Sequence, residues 1–166
     1  MTIFDYNCQD FFYAALYSNF VPSYKKTMNT KIANQRLLLT LLIINVVITA
    51  FHYTDNFINF PNYPDPEWIT PESIYQSWFI LTSIGIIGYI FYLKNILWLA
   101  YICLSIYSVT GILSPGHYFF QTNEIFSLKM HLLIWLDFIA GTLILSFTIF
   151  SGLFLKEWKQ LVDGNS

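Results

Sequence analysis

Residues 130–155, MHLLIWLDFIAGTLILSFTIFSGLFL, contain a single charged side chain, that of Asp137. At a rise of 1.5 Å per residue, about 20 apolar residues cross the roughly 30 Å of hydrocarbon in a bilayer. This stretch is long enough and apolar enough to do so. It therefore predicts a membrane-spanning helix with one carboxylate inside it.

Three more stretches of the chain resemble this one. Only 11% of the residues are charged and 55% are hydrophobic, whereas about 25% charged residues are usual in a soluble domain. Asp, Glu, Lys and Arg are absent from residues 37–54, 73–93, 95–123 and 138–155. We therefore predict an all-α fold, an integral membrane four-helix bundle with spans at about 37–53, 74–93, 96–114 and 130–155.

The chain outside the spans divides into a leading segment, a linker and a tail. Aromatic and aliphatic residues in 1–30 recur near helical spacing, which predicts an N-terminal interfacial amphipathic helix ended by Pro22. The linker 54–73 has four prolines and four acids, which predicts an exposed loop, and Thr70, Pro71 and Glu72 form a helix start signal. The predicted parts are thus 1–30, a membrane domain at 31–156 and a cytoplasmic tail at 157–166.

The basic residues predict the orientation. With both termini cytoplasmic, seven bases lie inside and one, Lys129, lies outside; the seven are Lys25, Lys26, Lys31, Arg36, Lys94, Lys156 and Lys159. The reverse orientation would invert this ratio, against the preference of Lys and Arg for the cytoplasmic side. We expect four spans with both termini cytoplasmic.

In that orientation all three histidines fall at the outer side of the membrane, close to two acids. They are His52, His117 and His131, with Asp55 near the end of span one and Asp137 inside span four. A carboxylate within a span costs several kcal/mol unless it is partnered, protonated or hydrated, so it marks a candidate functional site. We take these five residues as the candidate catalytic set.

Polar residues continue this set along two helix faces. Their spacing of three or four residues places them on one side of each helix, facing protein. The stripes are Asn45, Thr49, His52 and Asn56 on span one, and Cys103, Tyr107, Thr110, Ser114 and His117 on span three. From these we take Asn45, Thr49, Asn56, Tyr107 and Thr110 as candidate ligand-binding residues.

A metal site is one interpretation of the histidines. Imidazole and carboxylate groups bind zinc or non-haem iron, and His52, His117 and His131 would be the metal ligands. His131 and Asp137 are six residues apart, about 240° around a helix, so both reach one atom only if the helix begins after His131. The alternative is that the histidines bond headgroups and loop carbonyls at the interface.

Several functions remain open from the residues alone. A net charge of −2 and eight scattered bases exclude nucleic acid as a partner. The first hypothesis is an outer-facing His/Asp pocket for a small hydrophobic or cationic ligand, or for a lipid group. The second is a membrane enzyme that acts on a lipid-soluble substrate, with a histidine as general acid or base. The third is a packing subunit of a homo-oligomer or a larger membrane complex.

The order of landmarks resembles the four-helix EXPERA-type membrane proteins, the group of emopamil-binding protein and the sigma-2 receptor. The similar residues are Asp55, Pro61, Tyr63 and Pro64, then Tyr92, Leu93 and Lys94, and Tyr107, Ser108 and Val109. The resemblance implies cytoplasmic termini and a ligand cavity in which acids meet a cation, a role that Asp55 and Asp137 would take. The spans contain no glutamate, so sterol isomerase activity does not carry over. An uncharacterised bacterial four-span family is equally compatible.

Overall fold

The computed structural model describes the backbone of residues 6–63, 66, 68–120 and 126–159, and side chains from residue 29 onward. Within these residues the chain is helical and contains no strand, so the all-α fold class is confirmed. The chain divides into two units, Met1–Leu37 and Leu38–Ser166. The first unit has helical backbone from Tyr6. The second is a bundle in which long apolar helices pack on one another.

Helix α1 runs from Tyr6 to Ile58, so the predicted helix end at Pro22 is wrong. Proline lacks one amide donor and crowds the carbonyl four residues earlier, but its φ angle is compatible with a helix. The helical conformation of the residues on either side of Pro22 outweighs this local cost. The predicted amphipathic face of residues 1–30 lies almost wholly on side chains outside the described residues.

Helices α2, Pro71–Leu93, and α3, Leu97–Ile112, form an antiparallel hairpin. The predicted start signal of α2 is confirmed, because the Thr70 and Ser73 side chains each accept a hydrogen bond from the other residue's backbone amide. Asn95 joins the two helices at a φ of 61°, a left-handed conformation that asparagine tolerates.

Helix α4 runs from Leu128 to Ile149 and continues as a π-helical turn over Phe150–Phe154. The Ser127 side chain accepts a hydrogen bond from the Met130 amide and so caps the first turn. Ahead of it, Ser114–Phe119 forms a 3₁₀ helix after α3. A second short 3₁₀ helix, Phe60–Asn62, follows α1.

Glycines set the distances between the helices. A Cβ atom on Gly111 of α3 would lie 2.6 Å from the backbone oxygen of Asp137, and one on Gly141 of α4 would lie 2.6 Å from that of Ser108. Helices α3 and α4 therefore touch backbone to backbone, as small residues allow. On α2, a Cβ atom on Gly85 would lie 2.6 Å from the ring of Tyr107.

The described residues contain four helices that are long enough and apolar enough to cross a membrane: Asn29–Ile58, Pro71–Leu93, Leu97–Phe119 and Leu128–Phe154. Each coincides with a predicted span and is longer than predicted at one end or both. The fold thus brings the end of α1, the start of α2, the end of α3 and the start of α4 together. We call this the His52 end of the bundle.

Candidate functional site

Asp137 is the centre of the polar group at the His52 end. The residue is 0% exposed, and its Oδ2 atom lies 3.2 Å from Nδ1 of His52, which is 2% exposed. The Ser114 hydroxyl donates a hydrogen bond of 2.5 Å to the same oxygen. His52 comes from α1, Ser114 from the 3₁₀ helix after α3 and Asp137 from α4, so the carboxylate joins three helical segments.

The second oxygen of this carboxylate has no hydrogen-bond partner. Oδ1 of Asp137 is buried and unbonded, and Nδ1 of His52 meets Oδ2 at ion-pair distance without hydrogen-bond geometry. A carboxylate has room for about four hydrogen bonds. Asp137 therefore keeps acceptor capacity that the described side chains do not use, in a place shielded from solvent.

Aromatic rings cover His52. The rings of His52 and His117 lie 5.7 Å apart between centroids, and Tyr63 packs edge-on against His117 at 5.2 Å. Tyr63 is also 6.2 Å from His52. Two of the three histidines are thus neighbours, as the sequence predicts, and the 3₁₀ helix after α3 brings the second one to the first.

Asp55 belongs to a separate cluster next to these rings. Its carboxylate accepts hydrogen bonds of 2.8 Å from the Tyr63 hydroxyl and from the Asn59 amide, and it forms an ion pair with Lys129. Asp55 and His52 lie one helical turn apart, but their side chains have different partners. Tyr63 connects the clusters, since its ring contacts His52 while its hydroxyl bonds Asp55.

His131 lies apart from the other two histidines. Because α4 begins at Leu128, His131 is already helical and its side chain diverges from that of Asp137, as the 240° separation requires. Its Nδ1 is 2.8 Å from the Tyr118 hydroxyl, and its ring contacts Tyr118 and Phe126. Within the described part of the chain, no three His, Cys, Asp or Glu side chains are grouped to hold a metal ion. The predicted zinc or iron site has no such ligand group among the described residues, and it stays a prediction.

The predicted polar stripe of α1 faces the interior. Asn45, Thr49, His52 and Asn56 are all buried, with 2–7% of their surface exposed. Oδ1 of Asn56 has no hydrogen-bond partner. The interior orientation of this stripe is therefore confirmed, and ligand binding by its members stays a prediction.

On α3, Tyr107 is buried and its hydroxyl lies beside the hydroxyls of Thr49 and Thr82. Thr110, by contrast, is partly exposed and donates to the Tyr107 backbone oxygen at 2.7 Å, so its hydroxyl is already used within the helix. The Tyr107 hydroxyl therefore faces side chains of other helices, whereas the Thr110 hydroxyl bonds the backbone of its own helix.

The opposite end of the bundle holds a third carboxylate cluster, which sequence reasoning missed. Glu157 accepts hydrogen bonds from the hydroxyls of Tyr92, at 2.7 Å, and Ser151, at 2.6 Å. The Tyr101 hydroxyl is 2.8 Å from that of Ser151. Tyr92 and Glu157 are 65 residues apart, so no local pattern links them. We call this the Glu157 end.

The site contains serine, histidine and aspartate, but not in the order that nucleophilic catalysis needs. In such a triad the serine hydroxyl bonds the imidazole, which takes its proton. Here Ser114 donates to Asp137, so the hydroxyl proton points at the carboxylate. The arrangement instead leaves a buried carboxyl oxygen that can accept a hydrogen bond, with an imidazole beside it.

Comparison with family models, with curated proteins and with solved structures finds no match.

Proposed function

We propose that this chain is a polytopic membrane protein whose His52 end binds a small hydrophobic ligand carrying a positively charged amine. The observation that carries the proposal is Asp137, a fully buried carboxylate with one unbonded oxygen. An ammonium group that donates to Oδ1 supplies both the charge and the hydrogen bond that this oxygen lacks.

The helix surfaces support membrane residence. In the most apolar windows of the four long helices, only 17–39% of the residues are buried within the chain. Side chains such as Phe51, Ile80 and Leu153 are more than 60% exposed. A water-soluble bundle turns such apolar faces inward, whereas a bundle in hydrocarbon turns them to lipid.

The chemistry of the surrounding groups supports a cationic ligand over an anionic one. Around the site, the unbonded atoms include two acceptor oxygens, Asp137 Oδ1 and Asn56 Oδ1, besides the ring nitrogen Nδ1 of His52. The nearby lysine, Lys129, is already paired with Asp55. The EXPERA resemblance, in which acids meet a cation, agrees with this assignment.

The test is equilibrium binding of N,N-dimethyldecylamine to the protein in lipid nanodiscs, corrected for partitioning into empty nanodiscs. We expect saturable binding to the unchanged protein and at least a tenfold loss of affinity in Asp137→Asn, because the amide keeps the shape and removes the charge. The neutral hydrocarbon 2-methyldodecane serves as the uncharged comparison ligand.

Glu157→Gln is the matched control, since it neutralises a carboxylate at the other end of the bundle. Equal affinity in the Asp137→Asn, Glu157→Gln and unchanged proteins would refute the proposal. So would equal saturable binding of the amine and the hydrocarbon.

A membrane enzyme is the second candidate, favoured by the contact between His52 and Asp137. A carboxylate beside Nδ1 orients an imidazole and leaves Nε2 for a substrate proton. The test is incubation of the purified protein with a total lipid extract, followed by mass spectrometry. A product formed by the unchanged protein and not by His52→Gln supports catalysis, and identical extracts exclude it for those lipids.

We further propose that both termini are cytoplasmic, on the seven-to-one distribution of basic residues. An impermeant thiol reagent added to intact cells should label Asn62→Cys and spare Lys94→Cys, in a chain with Cys8 and Cys103 replaced. The opposite labelling pattern would reverse the orientation.

A further inference from the structure

Three lysines lie around the carboxylate of the Glu157 end. Lys94 follows the last residue of α2, two residues after Tyr92, whose hydroxyl bonds Glu157 at 2.7 Å. Lys156 and Lys159 lie on either side of Glu157 in the sequence, just after the π turn. All three lysines are exposed. The hydrogen bond between Tyr92 and Glu157 therefore brings bases from two distant parts of the chain to one surface, which we call the lysine surface.

The lysine surface has no ionic partner among the described residues. Glu157 is half-buried, and its Oε2 atom accepts hydrogen bonds from the hydroxyls of Tyr92 and Ser151. Within the part of the chain that the structure describes, none of the three ammonium groups forms an ion pair with a carboxylate. The other described acids of the second unit lie at the His52 end: Asp55, Glu72 and Asp137. The surface therefore presents three exposed bases beside one acid that is already bonded by hydroxyls.

Two tryptophans mark the depth of the lysine surface. Trp98 lies in the first turn of α3 and is 65% exposed, and Trp158 lies beside Lys159 and is 47% exposed. The Trp158 indole donates to the Gly152 backbone oxygen at 3.0 Å, and the Lys159 ammonium lies 5.2 Å from the centre of the indole ring. Tryptophan is enriched in the headgroup layer of a bilayer. The lysines next to these rings therefore lie at headgroup level.

Apolar side chains continue from this level towards the hydrocarbon. Leu93, Leu153 and Phe154 are 42–72% exposed, and each lies within three residues of Lys94 or Lys156. A molecule that contacts both the lysines and these side chains has an anionic head and a hydrocarbon tail. A soluble anion would meet the lysines alone, and ion pairs with exposed lysines in water are weak. The surface therefore favours an anionic lipid over a free phosphate.

We propose that the lysine surface binds the phosphate group of an anionic phospholipid. The ammonium groups of Lys94, Lys156 and Lys159 donate charge-assisted hydrogen bonds to the phosphate oxygens. The acyl chains lie along Leu93 and the π turn. In the proposed orientation this leaflet is the cytoplasmic one, which carries anionic lipids. The inference concerns the end of the bundle opposite Asp137 and is independent of amine binding there.

The experiment is native mass spectrometry of the full chain in detergent, titrated with dioleoylphosphatidylglycerol or with dioleoylphosphatidylcholine. The two lipids share their acyl chains and their phosphate, but the choline ammonium makes the second lipid neutral. We expect the unchanged protein to bind phosphatidylglycerol about tenfold more tightly at low salt. This ratio should fall as ammonium acetate is raised, because salt screens exposed charges.

Substitutions locate the preference on the lysine surface. Replacing Lys94, Lys156 and Lys159 by glutamine should each reduce the ratio about twofold, and the triple glutamine variant should remove it. The triple arginine variant keeps the charges and should keep the preference. Lys129→Gln is the matched control, since it removes an exposed lysine at the His52 end, and it should leave the ratio unchanged. Asp137→Asn should leave it unchanged as well.

Several outcomes would overturn the proposal. Equal affinity of the unchanged protein for the two lipids would do so, as would a preference that persists in the triple glutamine variant. If that variant fails to fold, the single variants decide, and an equal reduction by Lys94→Gln and Lys129→Gln counts against the lysine surface. Displacement of the lipid by an equal concentration of glycerol 1-phosphate would show that the surface binds a soluble anion instead of a lipid.

Discussion

The two ends of the bundle each hold a buried or half-buried carboxylate, and the two carboxylates are used differently. Glu157 is bound by hydroxyls from α2 and from the π turn, and Tyr101 of α3 extends the network through Ser151. Asp137 is more deeply buried, yet one of its oxygens has no partner.

This difference distinguishes a carboxylate that stabilises the fold from a carboxylate that is available to a ligand. Glu157 accepts hydrogen bonds from two hydroxyls at one oxygen and links α2 to the π turn, so it stabilises the packing of the helices. A carboxylate that stays under-bonded at zero exposure lowers stability unless something else binds it. Asp137 is fully buried and has an unbonded oxygen, whereas Glu157 is half-buried and is bonded by two hydroxyls, and this contrast distinguishes the two ends.

The largest expected effect tests whether the close contact between α3 and α4 positions Asp137 at the His52 end. Gly111→Ala places a Cβ atom 2.6 Å from the Asp137 backbone oxygen and 3.0 Å from its Oδ1. Backbone atoms cannot rotate away as a flexible side chain can. Helices α3 and α4 must therefore move apart to make room for the Cβ atom. We expect unfolding in detergent to become easier by about 3 kcal/mol, despite the roughly 1 kcal/mol by which alanine favours a helix over glycine.

Gly152→Ala is the matched substitution at the Glu157 end. Its Cβ atom would lie 3.4 Å from the Tyr101 ring, an ordinary contact. We expect its stability to stay within about 1 kcal/mol of the unchanged protein. If both glycine variants lost the same stability, the backbone contact would not explain the position of Asp137.

The intermediate effect tests whether Glu157 stabilises the fold. Glu157→Ala removes two hydrogen bonds to a carboxylate and leaves the Tyr92 hydroxyl without its acceptor, while the Ser151 hydroxyl keeps the Tyr101 hydroxyl at 2.8 Å. We expect the free energy of unfolding to fall by about 2 kcal/mol, with amine affinity unchanged. Asp137→Asn should show the reverse, with stability within about 1 kcal/mol and binding lost.

Denaturant unfolding and nanodisc binding, measured on the same two variants, check this crossed pattern. Should Glu157→Ala impair binding as strongly as Asp137→Asn, the two ends would not have separate roles. A large loss of stability in Asp137→Asn would assign that carboxylate to the fold as well.

The smallest effect concerns the ion pair of Lys129 with Asp55. The Lys129 side chain is 64% exposed, so solvent screens the charge, and Asp55 keeps its hydrogen bonds to Tyr63 and Asn59 after the lysine is removed. Lys129→Met should therefore cost at most about 0.5 kcal/mol, less at high salt. A loss near that of Glu157→Ala, measured in the same unfolding assay, would show that this surface pair supports the His52 end.

The parts of this structure that follow a helical period were predictable from the sequence. Residues spaced three or four apart share a face whatever their neighbours are, so the burial of Asn45, Thr49 and His52 follows from spacing. The divergence of His131 from Asp137 follows in the same way, once Ser127 is recognised as the cap. Charge-free length alone located the four long helices.

The pairings between helices were not predictable. That Asp137 meets Ser114 and His52 depends on how closely α4 approaches α3, which the facing glycines Gly111 and Gly141 decide. The hydrogen bonds of Glu157 depend on the π turn that precedes it and on Tyr92, which lies 65 residues away in the sequence. Neither the register of one helix against another nor a π turn has a signature in one sequence.

The π turn at Phe150–Phe154 has a consequence for how the chain tolerates changes in length. It closes through a hydrogen bond from the Leu155 amide to the Phe150 oxygen, five residues apart, and so holds one residue more than an α turn. Elsewhere in a span, deleting a residue rotates every later side chain by about 100° and takes buried groups out of the interior. Deleting one here lets the turn close as α-helix and leaves the preceding face of α4 in register. A single-residue deletion in this turn is therefore expected to disturb the Glu157 end and to leave the His52 end in register.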